Sequence, residues 1–113
     1  MIINAYKNNE IKSLSQVFKI LGEPNRLKIL TCLGLECRPV SAIVAATGLT
    51  QTNVSFHLRV LREAGLVKPE KNGSFVFYCL PDPKLRDIID SFRDWQQSID
   101  CGINTKTVEK DSN

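Results

Sequence analysis

The 113-residue sequence has no apolar run long enough to cross a membrane. A membrane-spanning helix needs roughly 18 or more such residues. The N-terminus, MIINAYKNNEIK, also lacks the apolar core of a secretory signal. We therefore predict a cytoplasmic bacterial protein without membrane contact. In that reducing compartment its four cysteines, Cys32, Cys37, Cys79 and Cys101, are expected to be thiols.

Residues that build metal and catalytic centres are scarce. The chain has one histidine, His57, and its cysteines form no CxxC pair, which disfavours a zinc ribbon. Nothing near His57 supplies the nucleophile, base and orienting group that catalysis requires, so we predict that the protein is not an enzyme. A thiol oxidoreductase is the alternative, which the missing CxxC argues against and a turnover assay would test.

The length allows one hydrophobic core but not two, since domains usually contain roughly 100 to 150 residues. We assign residues 1–103 to a single domain. Residues 104–113, NTKTVEKDSN, are polar and without periodicity, which is typical of a flexible tail. The net charge of +3 is only mildly basic, so the position of the charge matters more than its sum.

Residues 50–65 have the pattern of a short helix with both ends marked. Thr50 can act as N-cap, and Gly65 can follow the C-terminus because it adopts positive φ without penalty. Between them Val54, Leu58 and Leu61 recur at helical spacing and predict one face turned toward a core.

The other face of this helix has side chains that can hydrogen-bond base edges and phosphates in the major groove. The candidate DNA contacts on the helix are Gln51, Thr52, Asn53, Ser55, Phe56, His57 and Arg59. A solvated face on an ordinary surface helix is the alternative interpretation. The segment that follows favours DNA binding.

That segment predicts a β-hairpin. Leu66 and Val67 open one strand, Asn72-Gly73 supplies the turn, and residues 74–80 form a second strand rich in aromatic and β-branched residues. We place Lys68 and Lys71 near the tip, where they can contact phosphates. Residues 50–78 contain four basic and two acidic residues, a local excess of +2. A polar helix face followed by a basic hairpin predicts the DNA-binding part of a winged helix-turn-helix.

Further helices are predicted on both sides. Helical spacing of apolar residues indicates helices near 11–21, 24–33 and 40–47, and the last of these forms the helix-turn-helix with the helix that begins after Thr50. A final helix over residues 83–100 has an apolar face. Its members are Leu85, Ile88, Phe92, Trp95 and Ile99.

The apolar face of the final helix needs a surface to cover it. A second copy can supply that surface, with the first and last helices packing across a two-fold axis and the two DNA-contacting helices about 34 Å apart. The alternative is that the final helix folds back over its own domain. The predicted fold is mainly α with a β-hairpin wing, a winged helix-turn-helix that is dimeric through its N- and C-terminal helices.

Three segments, LGEPNRLKIL, TQTNVSFHLRVLREAGLV and GSFVFYCL, resemble the ArsR/SmtB family of winged-helix repressors in a match over residues 13–100. The resemblance implies a homodimeric transcriptional repressor that leaves double-stranded operator DNA when an inducer, often a metal ion or metalloid, binds. By motif position, the resemblance implies that base or phosphate contacts are made by Gln51, Thr52, Ser55, Phe56 and Arg59. Phe56 departs from a commonly polar position and could contact a thymine methyl group. At His57 the resemblance implies a phosphate contact or helix packing.

The inducer is harder to predict. Zinc-type members use histidine with carboxylates on the last helix, whereas this helix has Asp87, Asp90 and Asp94 without histidine, which disfavours zinc. The Cys-Val-Cys element of arsenite-type members is replaced by residues 39–41, Pro-Val-Ser.

Thiols are the remaining candidates, because thiolates bind soft ions and react with oxidants. Cys32 and Cys101 resemble the paired thiols of persulfide- and redox-responsive members, and Cys37 could be a third ligand for arsenite or another thiophilic metal ion. We hypothesise that these three cysteines include the sensing thiols. Small apolar filler is the alternative for each cysteine, above all for Cys79. A winged-helix regulator without a metal inducer and a protein-interaction module are the further alternatives.

Overall fold

The computed structural model describes residues 5–99, which form five helices and three strands. The elements are α1 Asn8–Leu21, α2 Pro24–Leu33, β1 Arg38–Pro39, α3 Val40–Thr47, α4 Gln51–Glu63, β2 Lys68–Asn72, β3 Phe75–Cys79 and α5 Lys84–Ile99. The predicted helices are confirmed, and β1 was not predicted. The chain falls into two compact units that divide after Pro83. The predicted tail boundary lies outside the described residues.

The core of the first unit comes from α2, α3, α4 and the base of the hairpin. Its fully buried side chains are Ile29, Leu30, Leu33, Ile43, Val54, Leu58, Leu61 and Val67. The predicted inward face of α4 is thereby confirmed. Pro24 occupies the first turn of α2, where its missing N–H leaves no donor unsatisfied, and the Glu23 carboxylate accepts from the Arg26 backbone N–H at 3.0 Å.

Neither α1 nor α5 contains a buried residue, although each has an apolar face. Exposed apolar side chains on α1 are Ile11, Leu14 and Phe18, and on α5 they are Ile88, Phe92, Trp95 and Ile99. Each helix therefore presents a surface that its own unit does not cover. None of the helices within residues 5–99 is long and apolar enough to span a bilayer.

The sheet is antiparallel, with strand order β1-β3-β2. Asn72 pairs with Phe75, so the two loop residues of the hairpin are Gly73 and Ser74. Our assignment of the turn to Asn72-Gly73 was therefore wrong by one residue. Gly73 has the positive φ of 66° that the turn requires. Asn72 is the last residue of β2 and remains paired in the sheet.

Candidate nucleic-acid interface

Both ends of α4 are held by local hydrogen bonds that the sequence predicts. Thr50 Oγ1 accepts from the Asn53 backbone N–H at 3.1 Å, which satisfies one of the unpaired donors of the first turn. At the other end Gly65 has a φ of 78°. The N–H of Gly65 donates to the carbonyl of Arg62, and the N–H of Leu66 donates to the carbonyl of Leu61. This pair of bonds is a Schellman motif, and it ends the helix at a defined residue.

The turn between α3 and α4 is equally well defined. Gly48 follows α3 with a φ of 74°, and its N–H donates to the Val44 carbonyl at 2.9 Å. The Thr47 hydroxyl donates to the Ile43 carbonyl at 2.7 Å and accepts from the Leu49 N–H at 3.3 Å. These bonds fix the path of the short connection that joins the two helices of the helix-turn-helix.

Because its inward face is buried, α4 turns the opposite face to solvent. Six of the seven predicted contacts on this helix are exposed, namely Gln51, Thr52, Asn53, Ser55, Phe56 and Arg59. Four of these, at positions 52, 55, 56 and 59, follow the spacing of three and four that places side chains on one helical face. The structure therefore brings hydroxyl, aromatic and guanidinium groups together on one exposed face.

Phe56 and Arg59 form a pair within this exposed face. The guanidinium carbon of Arg59 lies 5.8 Å from the centroid of the Phe56 ring, and Phe56 remains half exposed. Arg59 also lies 4.0 Å from a carboxylate oxygen of Glu63, an exposed contact of little energetic weight. The guanidinium therefore has its orientation restricted by the ring but stays open to a ligand.

His57 differs from its neighbours on α4. It is buried, its Nδ1 lies 3.5 Å from Arg26 Nη1, and its Nε2 lies 3.8 Å from Glu23 Oε2. The prediction included His57 among the DNA contacts, but the structure places its ring inside the protein. Of the two roles that the resemblance implied, burial favours helix packing.

The two predicted lysines of the hairpin lie in different places. Lys68 pairs with Cys79 at the base of the hairpin, so its placement near the tip was wrong, and its Nζ lies 3.3 Å from a carboxylate oxygen of Glu70. Lys71 is next to the tip, opposite Val76, and is exposed. Within residues 5–99 it makes no salt bridge, so its charge is available to a phosphate.

Phe75 is a surface residue that the sequence analysis did not single out. It follows the turn at the tip of the hairpin and is 66% exposed. Its place in a strand rich in aromatics made it look like an ordinary sheet residue. The pairing of Asn72 with Phe75 places this exposed aromatic residue directly after the turn, at the hairpin tip.

The structure corrects the expectation that all the cysteines are thiols. Cys37 and Cys79 form a disulfide, with their Cα atoms 4.3 Å apart. Cys37 in this state cannot be a thiolate ligand beside Cys32, so the proposed trigonal site is not assembled here. Cys32 is half-buried on α2 and outside the disulfide, and Cys101 lies outside the described residues.

Within residues 5–99 no cluster of three His, Cys, Asp or Glu side chains is arranged to hold a metal ion. Asp87, Asp90 and Asp94 lie on α5, but Asp90 and Asp94 are engaged with arginines. Arg86 Nε donates to Asp90 Oδ1 at 3.1 Å, and Arg93 Nη2 lies 3.3 Å from Asp94 Oδ1. Two of these carboxylates therefore act as partners in surface ion pairs along the helix.

Comparisons with known proteins agree with this geometry. A helix-turn-helix domain model matches residues 21–70. The HTH-type transcriptional regulator NmtR of Mycobacterium tuberculosis is 31% identical over 93 residues, which cover 82% of this chain and 78% of that protein. The transcriptional repressor SmtB homolog of Synechocystis is 28% identical over 92 residues, covering 81% and 70%.

A solved structure shows the same likeness in three dimensions. The homodimeric winged helix-turn-helix DNA-binding domain of a Mycobacterium bovis protein superposes with a TM-score of 0.68 and 26% identity, covering 81% of this chain and 91% of that chain. Two helices joined by a short turn, the second with an exposed polar face and followed by a β-hairpin, define a winged helix-turn-helix DNA-binding protein. Within that class, the chain belongs to the ArsR/SmtB family of transcriptional regulators.

Proposed function

We propose that the protein is a cytoplasmic, homodimeric transcriptional repressor that binds double-stranded operator DNA. The observation that supports this most directly is the exposed face of α4, which is rigidly capped and has hydroxyl, aromatic and guanidinium groups at helical spacing. The repressor role draws on the name of the Synechocystis relative. The hydroxyl, aromatic and guanidinium groups of this face are types that contact bases and phosphates in DNA.

In this proposal α4 enters the major groove. Ser55 and Gln51 hydrogen-bond base edges, Arg59 contacts a guanine or a phosphate, and Phe56 packs on a thymine methyl group. Thr52 and Asn53 bind phosphates beside the N-terminus of the helix, where backbone N–H groups already favour an anion.

The hairpin acts as the wing and follows the phosphate backbone. Lys71 is the main phosphate contact, because its ammonium group is exposed next to the tip. Lys68 contributes less, since Glu70 partly neutralises it. These contacts position the protein and carry no base information.

The homodimer is proposed on the exposed apolar faces of α1 and α5. Phe92 and Trp95 on α5 are 47% and 55% exposed while their rings contact each other edge to face. Exposed aromatic clusters of this kind usually mark an interface. A second copy is the occupant that we propose, since the Mycobacterium bovis neighbour is homodimeric and isologous dimers are the commonest assemblies.

For the inducer we propose that it acts on cysteine thiols and releases the operator. Cys32 and Cys101 remain the sensing candidates, while Cys37 is set apart by its pairing with Cys79. Titration of the DNA-bound dimer with arsenite, cadmium and a polysulfide, repeated with Cys32→Ser and Cys101→Ser, tests this proposal. Release by one agent that is lost in a variant supports it, and unchanged release in both variants contradicts it.

The DNA-binding proposal is tested by selecting duplexes from a random library and measuring affinity against salt. A repressor should enrich an inverted repeat with half-sites about one helical turn apart, and its affinity should fall steeply with salt as counterions are released. A protein-interaction module would enrich no sequence and would bind DNA weakly with little salt dependence. Failure to enrich any symmetric site contradicts the proposal.

A further inference from the structure

The cysteine pair occupies a position with consequences for the whole DNA-binding segment. Arg38 pairs with Tyr78 in the β1–β3 ladder, so the same register places Cys37 directly opposite Cys79. Their Cα separation of 4.3 Å is close to the roughly 4.5 Å of a non-hydrogen-bonded antiparallel pair. The register of the β1–β3 pairing therefore places the two cysteines opposite each other, where the disulfide joins them.

The bond closes a loop with a sequence separation of 42 residues. That loop contains β1, α3, α4, β2 and β3, which together make up the entire proposed DNA-binding surface. Its two ends lie just before α3 and at the base of the wing. A covalent link at this point therefore ties the helix-turn-helix to the wing.

Apart from the bond, the wing is joined to the segment before α3 by the short β1–β3 pairing, and the base of the hairpin packs in the core through Val67 and Leu80. β1 has two residues, and one of them is Pro39, which has no N–H to donate to the ladder. Such a short pairing is weak on its own. The disulfide therefore adds a covalent link at the β1 side of the wing, where the pairing is only two residues long.

We propose that Cys37 and Cys79 form a reversible, oxidant-responsive disulfide that holds the wing on the helix-turn-helix and tightens DNA binding. In a reducing cytoplasm the two residues rest as thiols, and disulfides that form there are usually regulatory. Holding the wing in place before DNA arrives lowers the entropy that binding must remove. The effect on DNA rests on the function proposed above, whereas formation of the bond does not.

The exposure of the two residues indicates the order of events. Cys37 is exposed and Cys79 is 5% exposed, so a hydroperoxide reaches Cys37 first. The Cys37 thiolate attacks the peroxide, the O–O bond breaks, and a sulfenic acid and an alcohol, or water, are formed. Cys79 then attacks the Cys37 sulfur, the S–S bond forms, the S–O bond breaks, and water leaves. Two thiols lose two electrons and two protons in total, and the peroxide accepts them.

Formation of the bond is tested first in a full-length Cys32→Ser/Cys101→Ser variant, which keeps only the pair of interest. This background is needed because no lysine or arginine separates Cys32 from Cys37, so tryptic peptides cannot tell them apart. Hydrogen peroxide should remove both thiols, yield a linked peptide by mass spectrometry without reduction, and leave the protein monomeric in non-reducing denaturing gels. Retention of both thiols, or linkage only between chains, would contradict the proposal that Cys37 and Cys79 form a disulfide within one chain.

The mechanical consequence is tested by thermal unfolding of the same variant. Because the bond closes a long loop, oxidation should raise Tm by on the order of 10 °C. The matched control adds Cys37→Ser to the same background, and it should show no such rise. An equal Tm in both redox states would contradict the proposal that the disulfide restrains the wing.

DNA binding is measured last, on the duplex selected above, in both redox states. We expect roughly fivefold tighter binding by the oxidised protein, with no difference in the Cys37→Ser control. Equal or weaker binding after oxidation would overturn the regulatory proposal. Absence of specific binding in either state would contradict the proposed function instead, while the thiol and Tm results would still decide whether the bond forms.

Discussion

Arg26 Nη1 lies 3.5 Å from His57 Nδ1, so a guanidinium at the start of α2 reaches the buried histidine of α4. The other ring nitrogen lies 3.8 Å from Glu23 Oε2. Both ring nitrogens of His57 therefore face a charged side chain of the segment around the start of α2. Arg26 Nε also donates to the Ile20 carbonyl at 2.8 Å. His57 thereby connects the proposed DNA-reading helix to the junction of α1 and α2.

Replacing His57 with alanine should therefore lower the free energy of unfolding. The change removes a buried ring and the imidazole nitrogens that Arg26 and Glu23 face. The free energy of unfolding should fall by about 2 kcal/mol. Urea unfolding followed by circular dichroism measures this. Phe56→Ala is the matched control, because its ring is half exposed and should cost less than about 1 kcal/mol. A similar loss from both changes would contradict the packing role of His57.

Substitutions on the exposed face of α4 and substitutions on the wing should affect DNA affinity in different ways. Ser55→Ala should weaken binding to the selected operator by roughly 1 to 3 kcal/mol and leave binding to random duplex unchanged, because a base contact is lost. Fluorescence anisotropy with both duplexes measures the difference. Equal losses on the two duplexes would remove Ser55 from the base-contacting set.

Lys71→Ala should weaken binding to operator and random duplex alike. A lost phosphate contact also reduces the slope of log affinity against log salt by about 1. Affinity measured over a series of salt concentrations tests this, with Lys68→Ala as the comparison. Because Glu70 already pairs with Lys68, the Lys68 change should have the smaller effect, and the reverse order would contradict the placement of the wing.

Gly65→Ala should destabilise the protein through the backbone alone. Gly65 has a φ of 78°, and a Cβ built there meets nothing within 4 Å. The loss should therefore be the left-handed penalty of about 1 to 2 kcal/mol, without a steric clash. Gly65→Asn should lose less, since asparagine tolerates this conformation. Chemical denaturation of both variants measures the difference, and equal losses would point to a cause other than φ.

Phe92→Asp should prevent dimerisation. A carboxylate within the exposed apolar face of α5 would have to be buried unpaired in the proposed interface. Light scattering after size-exclusion chromatography should give the mass of one chain for this variant. Gln97→Asp adds the same charge five residues further along α5, on the side away from the apolar face, and should remain dimeric. A dimeric Phe92→Asp protein would exclude this face from the interface.

The sequence by itself determined the helices and the exposed face of α4. Helix formation depends on contacts between residues three or four apart, so the spacing of Val54, Leu58 and Leu61 and the caps at Thr50 and Gly65 were sufficient. The same local logic identified the hairpin, although it misplaced the turn by one residue and, independently, placed Lys68 near the tip instead of at the base. Asn72 and Gly73 both tolerate turn conformations, and only the pairing of Asn72 with Phe75 separates the alternatives.

Tertiary structure alone decided the states of His57 and of the Cys37–Cys79 pair. His57 lies at the border of the inward face of α4, and its burial depends on Glu23 and Arg26, more than thirty residues earlier in the chain. Cys37 meets Cys79 through the pairing of a two-residue strand that has no sequence pattern of its own. Periodicity records neighbours along one element, whereas contacts between distant segments depend on how the elements pack.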